Sequence, residues 1–330
     1  MSDSMSLLSV IVPVYNVSQY LREALDSILN QAMEDIEVIC VDDRSTDDSL
    51  AILEEYKRKD GRIRVYTNDR NRGVSYTRNF GMSKAAGEYV HFFDPDDVVD
   101  ECIYTEMLKA KTDVIICNYE KIPMSNRSIP FVHEGCYSSA DYFKELSDGI
   151  NMKGKLCFSW RCLYRLSLLR KHRLCFNEGI SMGEDTIFNM EAFLCAETIN
   201  VVSTPLYRYR TNNSGASRMS YKPRLEQSLQ LQIAEKKRIC AQYHVDEMIP
   251  FTKEMSEDIV KRYTMMLFAN IKNNPNGESL HEGIKRVLNM PMIKEAIGVV
   301  GFRNIYSNWK EYVFYLCMKF RMASVVVKFL

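Results

Sequence analysis

Apolar residues fall in short, nearly unbroken blocks along the first hundred positions, and each block is followed by a segment with helical spacing. Leu8 to Pro13 (LSVIVP) predicts a fully buried strand. Tyr20 to Asn30 sets Leu21, Ala24, Leu25, Ile28 and Leu29 on one stripe, which predicts a helix with Ser18 as its cap. The pattern repeats. Ile36 to Val41 predicts a second strand ending at Asp42-Asp43, and Ser45 to Asp48 opens a second helix with an acidic first turn. Ile63 to Tyr66, Ser75 to Lys84 and Tyr89 to Phe93 then read as strand, helix and strand. This rhythm predicts an α/β fold with a mostly parallel sheet covered on both faces, whose ligands bind outside the carboxyl ends of the strands. Pro13, Asp43 and Asp94 all fall at such ends, so residues far apart in sequence can converge on one crevice.

Further along, Asp113 to Tyr119 predicts another strand, Pro123 to Gly135 a polar loop, and Asp141 to Asp148 a short helix. Ile180 to Asp185 leads into an amphipathic helix with Ile187, Met190, Phe193 and Leu194 on its apolar stripe. From about Pro223 the pattern is helical, with Leu225, Leu229 and Ile233 at four-residue spacing and no further strand of any length until Val325-Val326-Val327. The expected organisation is a working domain over residues 1–220 and a helical appendage over 221–330.

Composition narrows the class. With 46% hydrophobic residues over 330 positions, the chain has ample material for a packed core. The ten cysteines show no C-x-x-C spacing, and Cys40 and Cys117 sit inside apolar runs, so reduced thiols and a cytoplasmic setting are expected. No run approaches the roughly 18 apolar residues of a membrane span. Residues 1–100 carry 11 basic and 19 acidic side chains, whereas residues 231–330 carry 15 and 10. The acidic half argues against binding nucleic acid strands and suits a site that gathers a cation.

That cation has an evident candidate site. Asp94-Pro95-Asp96-Asp97 follows directly on the apolar run Tyr89 to Phe93, with a proline that stops the ladder. Carboxylates on the rim of a buried strand offer the oxygen ligands that a hard divalent cation carrying a diphosphate requires. Taken alone, a D-x-D is more often a solvated turn than a metal site, and its weight here comes from its neighbours.

Five motifs in order, spanning Leu8 to about Arg218, resemble the family 2 glycosyltransferases, the inverting group with the GT-A fold. They are Val12-Pro13-Val14-Tyr15-Asn16; Val41-Asp42-Asp43-Arg44-Ser45-Thr46-Asp47; Asn71-Arg72-Gly73 with Arg78-Asn79-Phe80-Gly81; Gly87-Glu88-Tyr89 leading to Asp94-Pro95-Asp96-Asp97; and Met182-Gly183-Glu184-Asp185-Thr186. The resemblance implies a nucleotide-sugar half over residues 1–120 and an acceptor half over 121–220. It implies Mg²⁺ or Mn²⁺ on Asp96 and Asp94, a UDP-sugar donor near Pro13, Tyr15, Asp42, Asp43, Arg72 and Asp94, and Asp185 as general base. Asp43 would face the uracil imide and Tyr15 would stack on the base, with Asp42 capping or bracing the turn. Arg72 would offset phosphate charge, and Asp97 would be structural. Arg44 departs from the family's usual glycine. Arg78 and Asn79 are read as braces for the loops, and Glu184 as a helix cap. Trp160 is a platform for an acceptor sugar or a core residue, and Tyr207 to Arg210 with Thr211 to Ser217 resembles a loop that folds over the diphosphate.

The acceptor implied is a glycan or lipid-linked oligosaccharide hydroxyl at the inner face of the plasma membrane, receiving one sugar at a time, since the Q-x-x-R-W motif of processive relatives is absent. A sugar nucleotidyltransferase is disfavoured by Pro13-Val14-Tyr15-Asn16 standing where a glycine-rich basic loop belongs. A catalytically silent nucleotide-sugar-binding subunit is disfavoured by the presence of both Asp96 and Asp185. The stripe Trp309, Tyr312, Val313, Leu316, Phe320, Ala323, Val327 and Leu330, with five basic residues against Glu311 over 302–330, suits an anionic membrane surface, its own domain or a second subunit alike.

Overall fold

The computed structural model describes residues 8–122, 133–147, 156–211, 220–274, 277–300 and 309–329. The polar loop expected over 123–135 falls mostly outside them, as do Asp148 and most of the segment Thr211 to Ser217. The chain divides into two compact units, residues 1–212 and 213–330.

The first unit is built on one sheet in the order β3-β2-β1-β4-β8-β6-β9-β5, with β7 beside β9. Strands β1 (Leu8–Val14), β2 (Ile36–Asp42), β3 (Ile63–Thr67) and β4 (Tyr89–Phe92) pair in parallel. Between them run α1 (Ser18–Leu29), α2 (Ser49–Lys59) and α3 (Val74–Lys84). Every residue of β1 is buried, because the sheet is covered on both sides. Gly87 lets the chain pass close to β1: a Cβ there would meet the Ser9 nitrogen at 2.7 Å.

The sheet then turns mixed. After β5 (Val98–Val99) and α4 (Ile103–Met107), β6 (Val114–Ile122) runs parallel to β9 (Ile199–Arg210), while β8 (Cys162–Arg165) is antiparallel to both β4 and β6. Between β6 and β8 lie β7 (Gly135–Tyr137) and α5 (Ser139–Ser147), and after β8 come α6 (Leu166–Lys171) and α7 (Glu184–Cys195).

Two local expectations are corrected. Ser18 is the first helical residue of α1 and not its cap; its N–H donates to Asp47 Oδ2 at 2.9 Å, and Val17 N donates to Ser49 Oγ at 3.0 Å. The acids Asp47 and Asp48 precede α2 instead of forming its first turn, and Asp47 thereby ties the loop after β2 to the loop after β1.

The second unit is helical. It contains α8 (Leu225–Gln242), α9 (Val245–Met248) and α10 (Phe251–Asp258), which continues through one π-helical turn (Ile259–Tyr263) into α11 (Thr264–Lys272). Then follow α12 (Leu280–Leu288), α13 (Pro291–Val299), α14 (Trp309–Lys319) and α15 (Ala323–Val326). Ser279 caps α12 by accepting from Glu282 N. The run Val325-Val326-Val327 is helical and not a strand. Arg321 turns left-handed with φ 55°, folding the segment back so that Val326 is buried, and that packing overrides the β preference of valine. No helix among the described residues is long and apolar enough to cross a membrane.

Candidate active site

Parallel register places the carboxyl ends of β2, β1 and β4 side by side: Val14 faces Asp42, and Phe93 N donates to Ile11 O at 2.9 Å. Pro13, Tyr15, Asp42, Asp43 and Asp94 therefore share one edge. Tyr15 is 47% exposed, an apolar ring presented at a strand end. Arg44 adopts φ 66°, a left-handed conformation that glycine reaches without strain, which accounts physically for the glycine common at this point in the family the sequence resembles; its side chain is exposed.

The two acids at the end of β2 are both buried and both engaged with backbone. Asp42 accepts the Ser45 N–H at 3.2 and 3.3 Å and so braces the turn. Asp43 accepts from Asn68 Nδ2 at 2.7 Å and Arg72 N at 2.7 Å on one oxygen, and from Gly73 N at 2.8 Å on the other, which anchors the loop before α3. The Arg72 guanidinium donates to Asp69 and lies over the Tyr76 ring at 4.7 Å.

The acidic turn after β4 is held from two directions. Asp97 points inward, accepting from Tyr207 Oη at 2.8 Å and Arg210 N at 2.6 Å; burial, reinforced by the charges of Asp94 and Asp96, pushes its pKa well above the ordinary carboxylate value. Arg210 Nε donates to the Asp96 carbonyl at 2.9 Å and Nη2 to Glu23 at 2.7 Å. Asp94 and Asp96 stay half-buried at the rim. Asp94 Oδ1 accepts from Arg78 Nη2 at 2.8 Å, and Nη1 of the same guanidinium donates to Glu184 Oε1 at 2.9 Å. The Arg78 side chain is only 5% exposed. Burial opposes its charge, but Asp94 and Glu184 outweigh that and hold its pKa above the ordinary value. One buried side chain on α3 thus joins the acidic turn to the start of α7.

Helix α7 begins after Gly183, whose φ of 75° is the left-handed turn that aims the Glu184-Asp185 pair. Asp185 Oδ2 accepts from Phe158 N at 2.7 Å and Oδ1 from Thr186 N at 2.7 Å, so its carboxylate has a fixed orientation with acceptor capacity remaining. Burial raises its pKa, the nearby Asp94 charge adds to that, and the Phe158 and Thr186 amides and Arg78 work against it. A carboxylate whose proton affinity is raised in this way, with both oxygens held in place by backbone amides, suits proton abstraction. Phe158 pays for its donation with a left-handed backbone, φ 74°, rare for a bulky residue.

Asp94 and Asp96 offer hard oxygen donors, and among the described residues no cluster of three or more metal-binding side chains occurs. Two carboxylates fit a Mg²⁺ or Mn²⁺ ion that takes its other ligands from a diphosphate and water. Trp160 is buried and stacked on Tyr207 at 4.2 Å and Tyr209 at 5.5 Å, so it is a core residue and not an acceptor platform. Arg208 pairs with Asp100 and Glu120. Phe158 acquires a role at the site that sequence reasoning did not assign, since a positive φ leaves no signal in the residue pattern, and Arg210, expected in a loop over the diphosphate, ends β9 and donates to the Asp96 carbonyl.

Comparison with known proteins gives the family and the fold. Residues 9–173 match the profile of glycosyl transferase family 2. The uncharacterized glycosyltransferase EpsJ of Bacillus subtilis (strain 168) is 30% identical over 305 residues, 90% of this chain and 88% of that protein. The poly(ribitol-phosphate) beta-N-acetylglucosaminyltransferase TarS of Staphylococcus aureus (strain Mu50 / ATCC 700699) is 30% identical over 220 residues, 63% of this chain and 36% of that protein. Among solved structures, residues 1–349 of S. aureus TarS in complex with UDP-GlcNAc superimpose with a TM-score of 0.70 at 20% identity, covering 97% of this chain and 89% of that one. The likeness is one of fold, the GT-A arrangement.

Proposed function

Because the chain belongs to glycosyl transferase family 2 and is a glycosyltransferase, we propose that it moves one sugar, with inversion, from a UDP-sugar to a hydroxyl of a glycan or lipid-linked glycan in the assembly of a cell-surface polysaccharide. The observation that carries this reading is the Arg78 guanidinium shared by Asp94 and Glu184, which brings the acidic turn and the Glu-Asp pair to one place. The neighbouring TarS structure, obtained with UDP-GlcNAc, supports uracil as the donor base.

In this reading the exposed Tyr15 ring stacks on the base, and the backbone at Pro13 and the turn braced by Asp42 form the floor beside it. Asp43 orders the Asn68 to Gly73 loop against the nucleotide, with one carboxylate lone pair left for the imide N–H. Arg72 lies at the mouth near the phosphates. Asp94 and Asp96 hold the cation, which supplies charge neutralisation to the departing diphosphate. Asp185, oriented by Phe158 and Thr186, takes the proton from the acceptor hydroxyl as that oxygen attacks the anomeric carbon. Arg78 keeps Asp94 and Glu184 apart as charges yet together in space.

Radiolabelled UDP-sugars incubated with a lipid-linked acceptor test the proposal. Transfer is expected to stop in EDTA, to return with Mn²⁺ or Mg²⁺, and to be lost in Asp185→Asn. Transfer unchanged in EDTA or in that variant would remove the mechanism.

A further inference from the structure

The last described helices carry an apolar stripe that faces outward. Trp309, Tyr312, Val313 and Leu316 on α14, and Phe320 directly after it, recur at three- and four-residue spacing and share one face, while Tyr315 and Met318 on the other side are buried. Trp309 is 71% exposed and Phe320 67%. Of the nine large hydrophobic side chains exposed among the described residues, five lie between positions 309 and 329: these two, Tyr312, Met322 and Phe329. The left-handed turn at Arg321 folds α15 back on α14, so that the Phe329 ring meets Phe314 at 5.6 Å, on a different side of α14 from the stripe. Single exposed apolar residues are ordinary; a stripe of them is not.

Charge decides what this face suits. Residues 309–329 contain Lys310, Lys319, Arg321 and Lys328 against the single acid Glu311. On the helix, Lys310 and Lys319 stand on opposite flanks of the stripe, about 100° from Trp309 in one sense and about 80° in the other. We propose that this face seats on the anionic surface of a phospholipid bilayer, with Trp309 and Phe320 entering the headgroup boundary and the lysines reaching lipid phosphates from either side. A second copy is the poorer occupant, since apposing two such faces would bring two basic sets together. The inference is independent of the donor and acceptor proposed above.

The two tryptophans make the test direct: Trp160 is buried and Trp309 exposed, so an emission change reports the stripe. The full chain is titrated with vesicles of phosphatidylcholine alone and of phosphatidylcholine with phosphatidylglycerol, and followed by sedimentation and fluorescence. Expected are co-sedimentation and a blue shift only with the anionic vesicles, weakening as salt rises, and quenching by brominated lipid. Trp309→Ala with Phe320→Ala should lower partitioning on the order of tenfold for each aromatic lost, with the circular dichroism of the parent retained. Lys310→Glu with Lys328→Glu should abolish the preference for anionic lipid. A parent protein that stays in the supernatant with anionic vesicles at low salt overturns the proposal. So does a dimer in solution that the double aromatic variant dissociates.

Discussion

Replacing Arg78 with lysine keeps the charge and removes the fork. In the parent, Nη2 reaches Asp94 at 2.8 Å and Nη1 reaches Glu184 at 2.9 Å, from a side chain that is almost wholly buried. A single ammonium on a thinner stem cannot serve both carboxylates in the same geometry. Losing one charge-assisted hydrogen bond in a buried site costs about 1.5–3 kcal/mol, which at roughly 2–4 °C per kcal/mol for a unit of this size lowers the melting temperature by about 3–12 °C. Arg78→Ala, which strands both acids, should cost about 3–5 kcal/mol. Adding Glu184→Gln to Arg78→Ala removes one stranded charge and should recover part of that loss. Thermal melts of the parent, Arg78→Ala, Glu184→Gln and the double variant close a double-mutant cycle, and transfer assays beside them report whether Asp94 and Asp185 stay in register. Arg78→Lys melting within about a degree of the parent and transferring sugar at the parent's rate would refute the role given to this guanidinium.

Other outcomes follow from the same geometry. Because burial raises the Asp185 pKa, the acid limb of the kcat profile should lie above the ordinary carboxylate range; a limb at that ordinary value would point to another base. Asp96→Ala should abolish metal-stimulated transfer while Asp97→Asn, at an inward position, should act mainly on stability, a split readable from activity and melting measured together. His91 bridges Tyr104 Oη at 3.0 Å and the Trp160 carbonyl at 2.6 Å, and burial lowers its pKa to about 4. Between the unfolded value of about 6.5 and that lower one, the unfolded chain binds a proton that the fold refuses, so stability falls as pH drops through this window, by about 3 kcal/mol at its lower end. Denaturant titrations from pH 7 to pH 4.5 should show a shallower decline for His91→Gln, and equal slopes would remove His91 as the cause.

The residue pattern alone determined the elements that depend on local physics. Continuous apolar runs bounded by polar turns made β1, β2 and β4 legible, and the stripe of Leu21, Ala24, Leu25 and Ile28 made α1 legible, because burial period and helix period are written in neighbouring residues. Motif order likewise carried the family, since strand ends of a parallel sheet must meet at one edge.

Only tertiary structure decided which partners those side chains chose. The backbone donors to Asp43 come from the loop after β3, with α2 and β3 between, Trp160 lies in a ring stack assembled from β9, and the antiparallel insertion of β8 sets Phe158 beside Asp185. Above all, Arg78 reads in sequence as a brace for the loops, but which acids its fork joins appears only once the sheet has been wound and two distant segments meet. Periodicity reports the environment along a chain within a few residues; the electrostatics of a site are sums over charges that folding brings within a few ångströms, and no local pattern encodes that sum.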